Sequence, residues 1–233
     1  MGYCLAGCNT GGLPVYLIKP LLEQHEIRYF VETGTASGSS VREAAKLFDK
    51  CWTIELIYGR PALEDAPDNV EFRMGRSIDI LPSIIYDLNI LKGTEGKRQW
   101  VLFWLDAHYS DDKPNETREK ECPLLDEIEA IAQYGEDALI FIDDARLFFG
   151  HPPYPNNPSD WPTIQQIFES LTRNFPYHKT TITDDYILCT SIHVNEVLDA
   201  EWRERFNIRY PSDEDKLKSQ AKDVYLAFQK YIQ

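Results

Sequence analysis

The segment that most restricts this chain is Gln99 to Leu105, Gln-Trp-Val-Leu-Phe-Trp-Leu. Beyond its first residue it turns apolar side chains to both faces, so a strand made of it has to be covered on both sides. Ala138 to Ile142 has the same character. Strands of this kind belong in a parallel sheet sandwiched between helices.

The remaining residues supply such a sheet. Short apolar runs at Arg28 to Glu32, Cys51 to Glu55 and Val70 to Arg73 predict further strands. Segments of helical period lie between them: Ser39 to Phe48 (with Val41, Ala44, Ala45 and Phe48 on one face), Ser77 to Leu88, Leu124 to Tyr134 and Trp161 to Asn174. Tyr16 to His25 is amphipathic and predicts a short leading helix. Tyr177 to Thr181 and Tyr186 to Thr190 flank Asp184-Asp185 and read as a hairpin. With right-handed crossovers, the expected fold is α/β: a Rossmann-like, doubly wound, mostly parallel seven-stranded sheet ending in an antiparallel hairpin. Three parts are expected: an N-terminal segment (1–27), the sheet domain (28–195) and a charged helical extension (196–233). The extension is either a solvated helix or a contact in a homodimer.

Composition narrows the partners. A formal net charge of -14 disfavours nucleic acid, because phosphate backbones are bound by basic patches. Five scattered cysteines, Cys4 and Cys8 among them, form neither a disulfide framework nor a zinc motif. The chain has no signal-like start and no apolar run of ~20 residues for a membrane span, so a cytoplasmic protein is expected. Asn115-Glu116-Thr117 matches a glycosylation acceptor, without consequence in that compartment.

In an open parallel sheet, ligands bind beyond the carboxyl ends of the strands. There this sequence places Glu32, Glu55, Asp106, Asp143 and Asp144, five acids ending four apolar strands. A carboxylate following a buried strand needs a ligand, a metal or a helix N-terminus as partner. The loop after the first strand, Glu32 to Ser40, carries Gly34 and Gly38 for tight turning, and Ser39 and Ser40 to cap the next helix. It lacks both the dinucleotide GxGxxG and a phosphate-cradling GK[ST], and glycine there also serves turn geometry alone. Glu55 stands where an acid meets ribose hydroxyls in nucleotide-binding sheets, or else is a solvated strand end.

Taken in order, these residues resemble the class I S-adenosylmethionine-dependent methyltransferases from about residue 28 to 146. Glu32 to Ser40, Glu-x-Gly-x-x-x-Gly-x-Ser, is similar to the first motif of the catechol-type O-methyltransferases, with Ala36 at the place of the middle glycine of the commoner methyltransferase loop. Thr53-Ile54-Glu55 resembles their ribose-binding strand, and Gly75 to Pro82 their adenine-side segment. Leu105-Asp106 and Ile142-Asp143-Asp144 resemble the strand ends that carry magnesium in that group and in the macrocin-type sugar O-methyltransferases. Two departures stand out. The catechol enzymes have a lysine as base three residues after the first metal aspartate, where this chain has Tyr109, preceded by His108. Their last metal ligand is asparagine, here Asp144 as in the sugar enzymes.

The resemblance implies an S-adenosylmethionine site formed by Glu32, Thr33, Gly34, Thr35, Ser37, Gly38, Ser40, Glu55, Ser77, Ile78 and Asp106. It implies a Mg2+ ion on Asp106, Asp143 and Asp144, which would lower the pKa of acceptor hydroxyls. Without a metal, the aspartate pair would bind a loop or Arg146. His108 is the expected general base beside Asp106, although a histidine in a loop is also often structural. Arg146 and Tyr109 are expected to face the substrate, with Arg146 pairing with Asp143 as its alternative. His151, Tyr154 and Trp161 are candidates to line the acceptor pocket, and Asp111 to Cys122 a lid over it. The expected activity is O-methylation of a small polyhydroxylated molecule, a sugar or a natural product. A metal-free N- or O-methyltransferase, a non-catalytic binding module and, further off, an NAD-dependent dehydrogenase are the alternatives.

Overall fold

The computed structural model describes residues 12–56, 65–96, 98–109 and 120–209. Cys4 and Cys8, the acceptor sequence at Asn115, most of the expected lid and the extension from residue 210 onward lie outside them.

The elements run α1 (Val15–Gln24), β1 (Ile27–Thr33), α2 (Ser39–Ala44), β2 (Lys50–Glu55), β3 (Val70–Met74), α3 (Ser77–Glu95), β4 (Trp100–Leu105), α4 (Leu124–Ile131), β5 (Ala138–Ile142), α5 (Ile164–Asn174), β6 (His178–Thr183), β7 (Tyr186–Ser191) and α6 (Ile192–Arg209). One seven-stranded sheet has the order β3-β2-β1-β4-β5-β7-β6. β1 to β5 are mutually parallel, and β7 lies antiparallel between β5 and β6. This is the expected Rossmann-like sheet with its closing hairpin.

Period-two alternation in the central strands feeds two cores. Val101, Phe103 and Leu105 of β4, with Ala138, Ile140 and Ile142 of β5, pack with α3, α4 and α5. Leu102 and Trp104, with Leu139 and Phe141, pack with α1, α2 and α6 on the other face. Every residue of β4 and β5 is buried, as the apolar runs require. No helix among the described residues is long and apolar enough to cross a membrane.

The boundaries differ from the periodicity where local chemistry intervenes. α2 is short: after Ala44 the chain tightens into turns that still bury Phe48. α3 runs on to Glu95 and stops at Gly96, whose φ of 62 is the left-handed conformation common just past a helix end. α5 starts at Ile164 rather than Trp161, because Thr163 and Gln166 form a capping box there.

The sheet order also fixes where a ligand belongs. The chain builds outward from β1 through β2 to β3, then returns to set β4 on the other side of β1. Loops leaving β1 and β4 therefore diverge to opposite faces and open a crevice at that switch point.

Candidate active site

On the β1 side of the crevice the backbone is tightly constrained. Gly34 has a φ of 86, and a Cβ placed on it would lie 2.2 Å from the backbone oxygen of Asp106. The end of β4 thus passes directly over the turn, and only glycine fits. Ala36 follows at φ 43, in the left-handed region that ordinary side chains avoid. It is held there by its N–H, which donates to Glu55 Oε2 at 2.9 Å. Glu55 ends β2 almost fully buried rather than solvated, and one of its oxygens holds the glycine loop.

Glu32 is also buried, and Thr53 donates to its carboxylate at 2.5 Å. The Thr53 hydroxyl is in turn 2.7 Å from that of Thr35. Burial holds the Glu32 carboxyl well above the usual range, against the hydrogen bond from Thr53. Ser37 and Ser39 hydroxyls are 3.4 Å apart at the loop's exposed edge. Gly38 caps α2 at φ 73, and Ser40 is half-buried in its first turn. Thr33 and Ser77 are buried, and Ile78 is half-buried in the first turn of α3.

Across the crevice, Asp106, His108 and Asp144 converge, their ligand atoms all within 4.8 Å of one another. His108 lies between the two carboxylates, with Nδ1 3.3 Å from Asp106 and Nε2 3.2 Å from Asp144. Burial alone would depress the imidazole. The hydrogen bond to Asp144 and the charges of Asp106, Asp144 and Asp143 outweigh it and raise the ring above its usual value. Burial pushes Asp106 up to about 6, against the charges of His108 and Arg146. Burial opposes ionisation of Asp144 too, but His108 and Arg146 prevail and its carboxyl is lowered.

Asp143, expected as the third metal ligand, is not in this cluster. It is buried and turned back to accept from the Asp144 N–H at 2.8 Å. Burial, with Asp106 and Asp144 nearby, pushes it up to about 7. Asp144 itself adopts φ 55, in the left-handed region. His108 takes the place expected for Asp143. Two carboxylates and an imidazole suit a divalent ion that accepts nitrogen as well as oxygen better than they suit Mg2+, which prefers oxygen ligands. Arg146 pairs with Asp144 at 2.6 Å and with Asp185, not with Asp143.

The aromatic candidates divide. Trp161 packs against His108 with ring centroids 5.4 Å apart, and its indole N–H donates to Glu121 at 3.0 Å. Tyr154 is 93% exposed and His151 is exposed, so neither lines a closed pocket among the described residues. The Tyr109 N–H donates to the Glu121 carbonyl at 2.8 Å.

No protein-family model matches the chain, and no curated protein sequence matches it. Solved structures are similar to it at low identity. Human methyltransferase-like protein 13 in complex with SAH is 12% identical over 81% of this chain and 88% of that one, with a TM-score of 0.48. The N-methyltransferase NodS from Bradyrhizobium japonicum WM9 is 10% identical over 75% and 90%, with a TM-score of 0.44. The DhpI–SAH complex is 14% identical over 76% and 83%, with a TM-score of 0.42.

One group that the strand ends did not announce is Glu127 of α4. It is 1% exposed, and its Oε1 has no hydrogen-bond partner among the described residues. It lines a cavity of about 10 Å³ together with His108 and Asp143. The signal was available: an acid interrupts the buried stripe Leu124, Ile128 and Ile131 at helical spacing. Burial, with Asp106 nearby, pushes its carboxyl from 4.5 to about 7, against Ser77 and Thr33. A carboxyl raised in the folded state contributes its stability below about pH 4.5 and loses it as pH rises through about 7. Glu127→Gln cannot ionise, so its stability relative to wild type should rise by ~3 kcal/mol between pH ~5 and pH ~8. Urea unfolding at the two pH values checks this, and a pH-independent difference would show that Glu127 is not held neutral.

Proposed function

We propose that the chain is an S-adenosylmethionine-dependent methyltransferase acting on a small hydroxylated acceptor, a sugar or another polyhydroxylated natural product. One observation carries the reading. The glycine turn packed against the Asp106 backbone, with Glu55 holding the Ala36 N–H, forms one side of the switch-point rim, and the Asp106–His108–Asp144 cluster adjoins it on the other. The first side suits a nucleoside with vicinal hydroxyls, for which Glu55 offers carboxylate lone pairs beyond the one that takes the Ala36 N–H. The second suits proton removal from the group to be methylated.

Methyl transfer to oxygen is an in-line displacement, so the protein has to align donor and acceptor and accept a proton. His108, raised by its carboxylates, is a stronger base than a free imidazole once neutral. Asp106 and Asp144 each face one ring nitrogen, so one nitrogen has to turn from its carboxylate to the acceptor hydroxyl to take the proton, while the other carboxylate stabilises the imidazolium that forms. Trp161 covers the ring and limits its access to water.

A second reading is favoured by the same three donors lying within 4.8 Å. They fit a divalent cation if His108 gives up one carboxylate contact. A cation held there would supply Lewis-acid activation of the acceptor hydroxyl. Sensitivity of turnover to EDTA separates the two.

Calorimetric titration with S-adenosylhomocysteine, with and without divalent metal, tests the cofactor. Micromolar binding is expected. Glu55→Ala should weaken it by roughly 10- to 100-fold, since a charge-assisted hydrogen bond contributes ~1.5–3 kcal/mol. If the wild type does not bind S-adenosylhomocysteine in either condition, the methyltransferase reading is wrong.

A further inference from the structure

We propose that Asp185, in the turn between β6 and β7, is a positioning residue for the Asp106–His108–Asp144 cluster, a role that rests on the active-site reading above. Its carbonyl accepts from the Ala145 N–H at 2.8 Å, and its Oδ1 accepts from the Arg146 N–H at 2.9 Å. Its Oδ2 pairs with Arg146 Nη1. The hairpin turn therefore grips the segment after β5 through both backbone and side chain.

The contact reaches His108 through two intermediates. Arg146 Nη1, which holds Asp185, is also 2.6 Å from Asp144 Oδ1. The other oxygen of Asp144, Oδ2, is 3.2 Å from His108 Nε2. Five ionisable side chains thus run in a row: Asp106, His108, Asp144, Arg146 and Asp185. The Asp144 and Asp185 side chains are 17% and 14% exposed, whereas the Arg146 side chain that joins them is 54% exposed, so the carboxylates are sheltered while the guanidinium stays open to solvent screening. Asp144 also needs such support, because its φ of 55 is a conformation that surrounding contacts must maintain.

The turn is fixed in its own right. Neighbouring Asp184 pairs with the Tyr16 hydroxyl of α1 and, at 2.8 Å, with Arg205 of α6. Arg205 lies 4.0 Å over the Tyr16 ring. One aspartate anchors the turn to the helices while the next reaches into the site. Without the Asp185 carboxylate, Arg146 loses the partner that sets its approach to Asp144, and the Asp144–His108 contact loosens.

The test reads the His108 ring directly. Proteins with 15N-labelled histidine are compared near neutral pH, with the His108 signals assigned through His108→Gln. Asp185→Asn should move the His108 ring signals towards their positions in Asp144→Asn, and Asp185→Glu should return them towards wild type. S-adenosylhomocysteine affinity should stay within about two-fold, because none of these groups touches the Glu55 side. Arg146→Gln, at a half-exposed side chain, must move the same signals and covers the case in which Asp185→Asn fails to fold. His108 signals unchanged in either folded variant overturn the role. If wild type does not bind S-adenosylhomocysteine, the cofactor reading fails separately, and the ring comparison still decides whether Asp185 positions His108.

Discussion

Gly34→Ala should lose S-adenosylhomocysteine binding and melt far below the wild type. The added Cβ would meet three backbone atoms of β4 and its continuation: the Asp106 oxygen at 2.2 Å, the Asp106 carbonyl carbon at 2.6 Å and the Ala107 Cα at 2.9 Å. None is the end of a flexible side chain, so two strands must part for alanine to fit. Strain at φ 86 adds ~1–3 kcal/mol and overpacking a further ~1–3 kcal/mol. A sum of ~2–6 kcal/mol lowers the melting temperature by roughly 4–24 °C in a domain of this size. Gly135 supplies the control, with a φ of 89 and nothing within 4 Å of the same hypothetical Cβ. Gly135→Ala should cost the strain alone and leave ligand binding intact. Equal losses at both positions in thermal melts would mean that the closure of β4 over the turn is not what fixes Gly34.

His108→Gln should reduce methyl transfer by ~10²–10⁴-fold, the usual contribution of a positioned general base. S-adenosylhomocysteine affinity should be preserved. Glutamine keeps an amide between Asp106 and Asp144 but cannot take up a proton. The measurement is single-turnover transfer from labelled S-adenosylmethionine to an acceptor found by panel screening. A near-normal rate in His108→Gln that EDTA abolishes would show that a cation on the two carboxylates, lowering the pKa of the acceptor hydroxyl, activates the acceptor in place of the imidazole.

Much of the sheet was legible because its centre admits few alternatives. Trp100 to Leu105 and Ala138 to Ile142 are apolar on both faces and emerge as β4 and β5, buried throughout. The acids at the strand ends were legible as a set, since strand direction alone brings them to one rim. Their individual orientations were not. Asp143 and Asp144 are adjacent, yet Asp144, with its left-handed backbone, is the one that joins Asp106 and His108. That conformation is maintained by Arg146 and Asp185, the latter about forty residues further along the chain, a separation that periodicity cannot see. Glu127 was readable in principle as an acid on an apolar stripe. Its nearness to Ser77 and Thr33 depends on how α4 packs on the sheet.

The antiparallel place of β7 has a consequence for how this protein is made. β6 is synthesised before β7, yet among the described residues β7 is its only neighbour in the sheet. β6 therefore has nothing to pair with until β7 has emerged, and the two strands join the edge of β5 as a ready-formed hairpin. Asp185 rides in the turn of that hairpin, so Arg146 meets its partner only at this docking step. During synthesis, chains that have completed β1 to β5 already carry Asp106, His108 and Asp144 but not the contact that braces them. Acquisition of the native His108 environment should thus coincide with late, non-local closure of the sheet, the slow kind of step in folding.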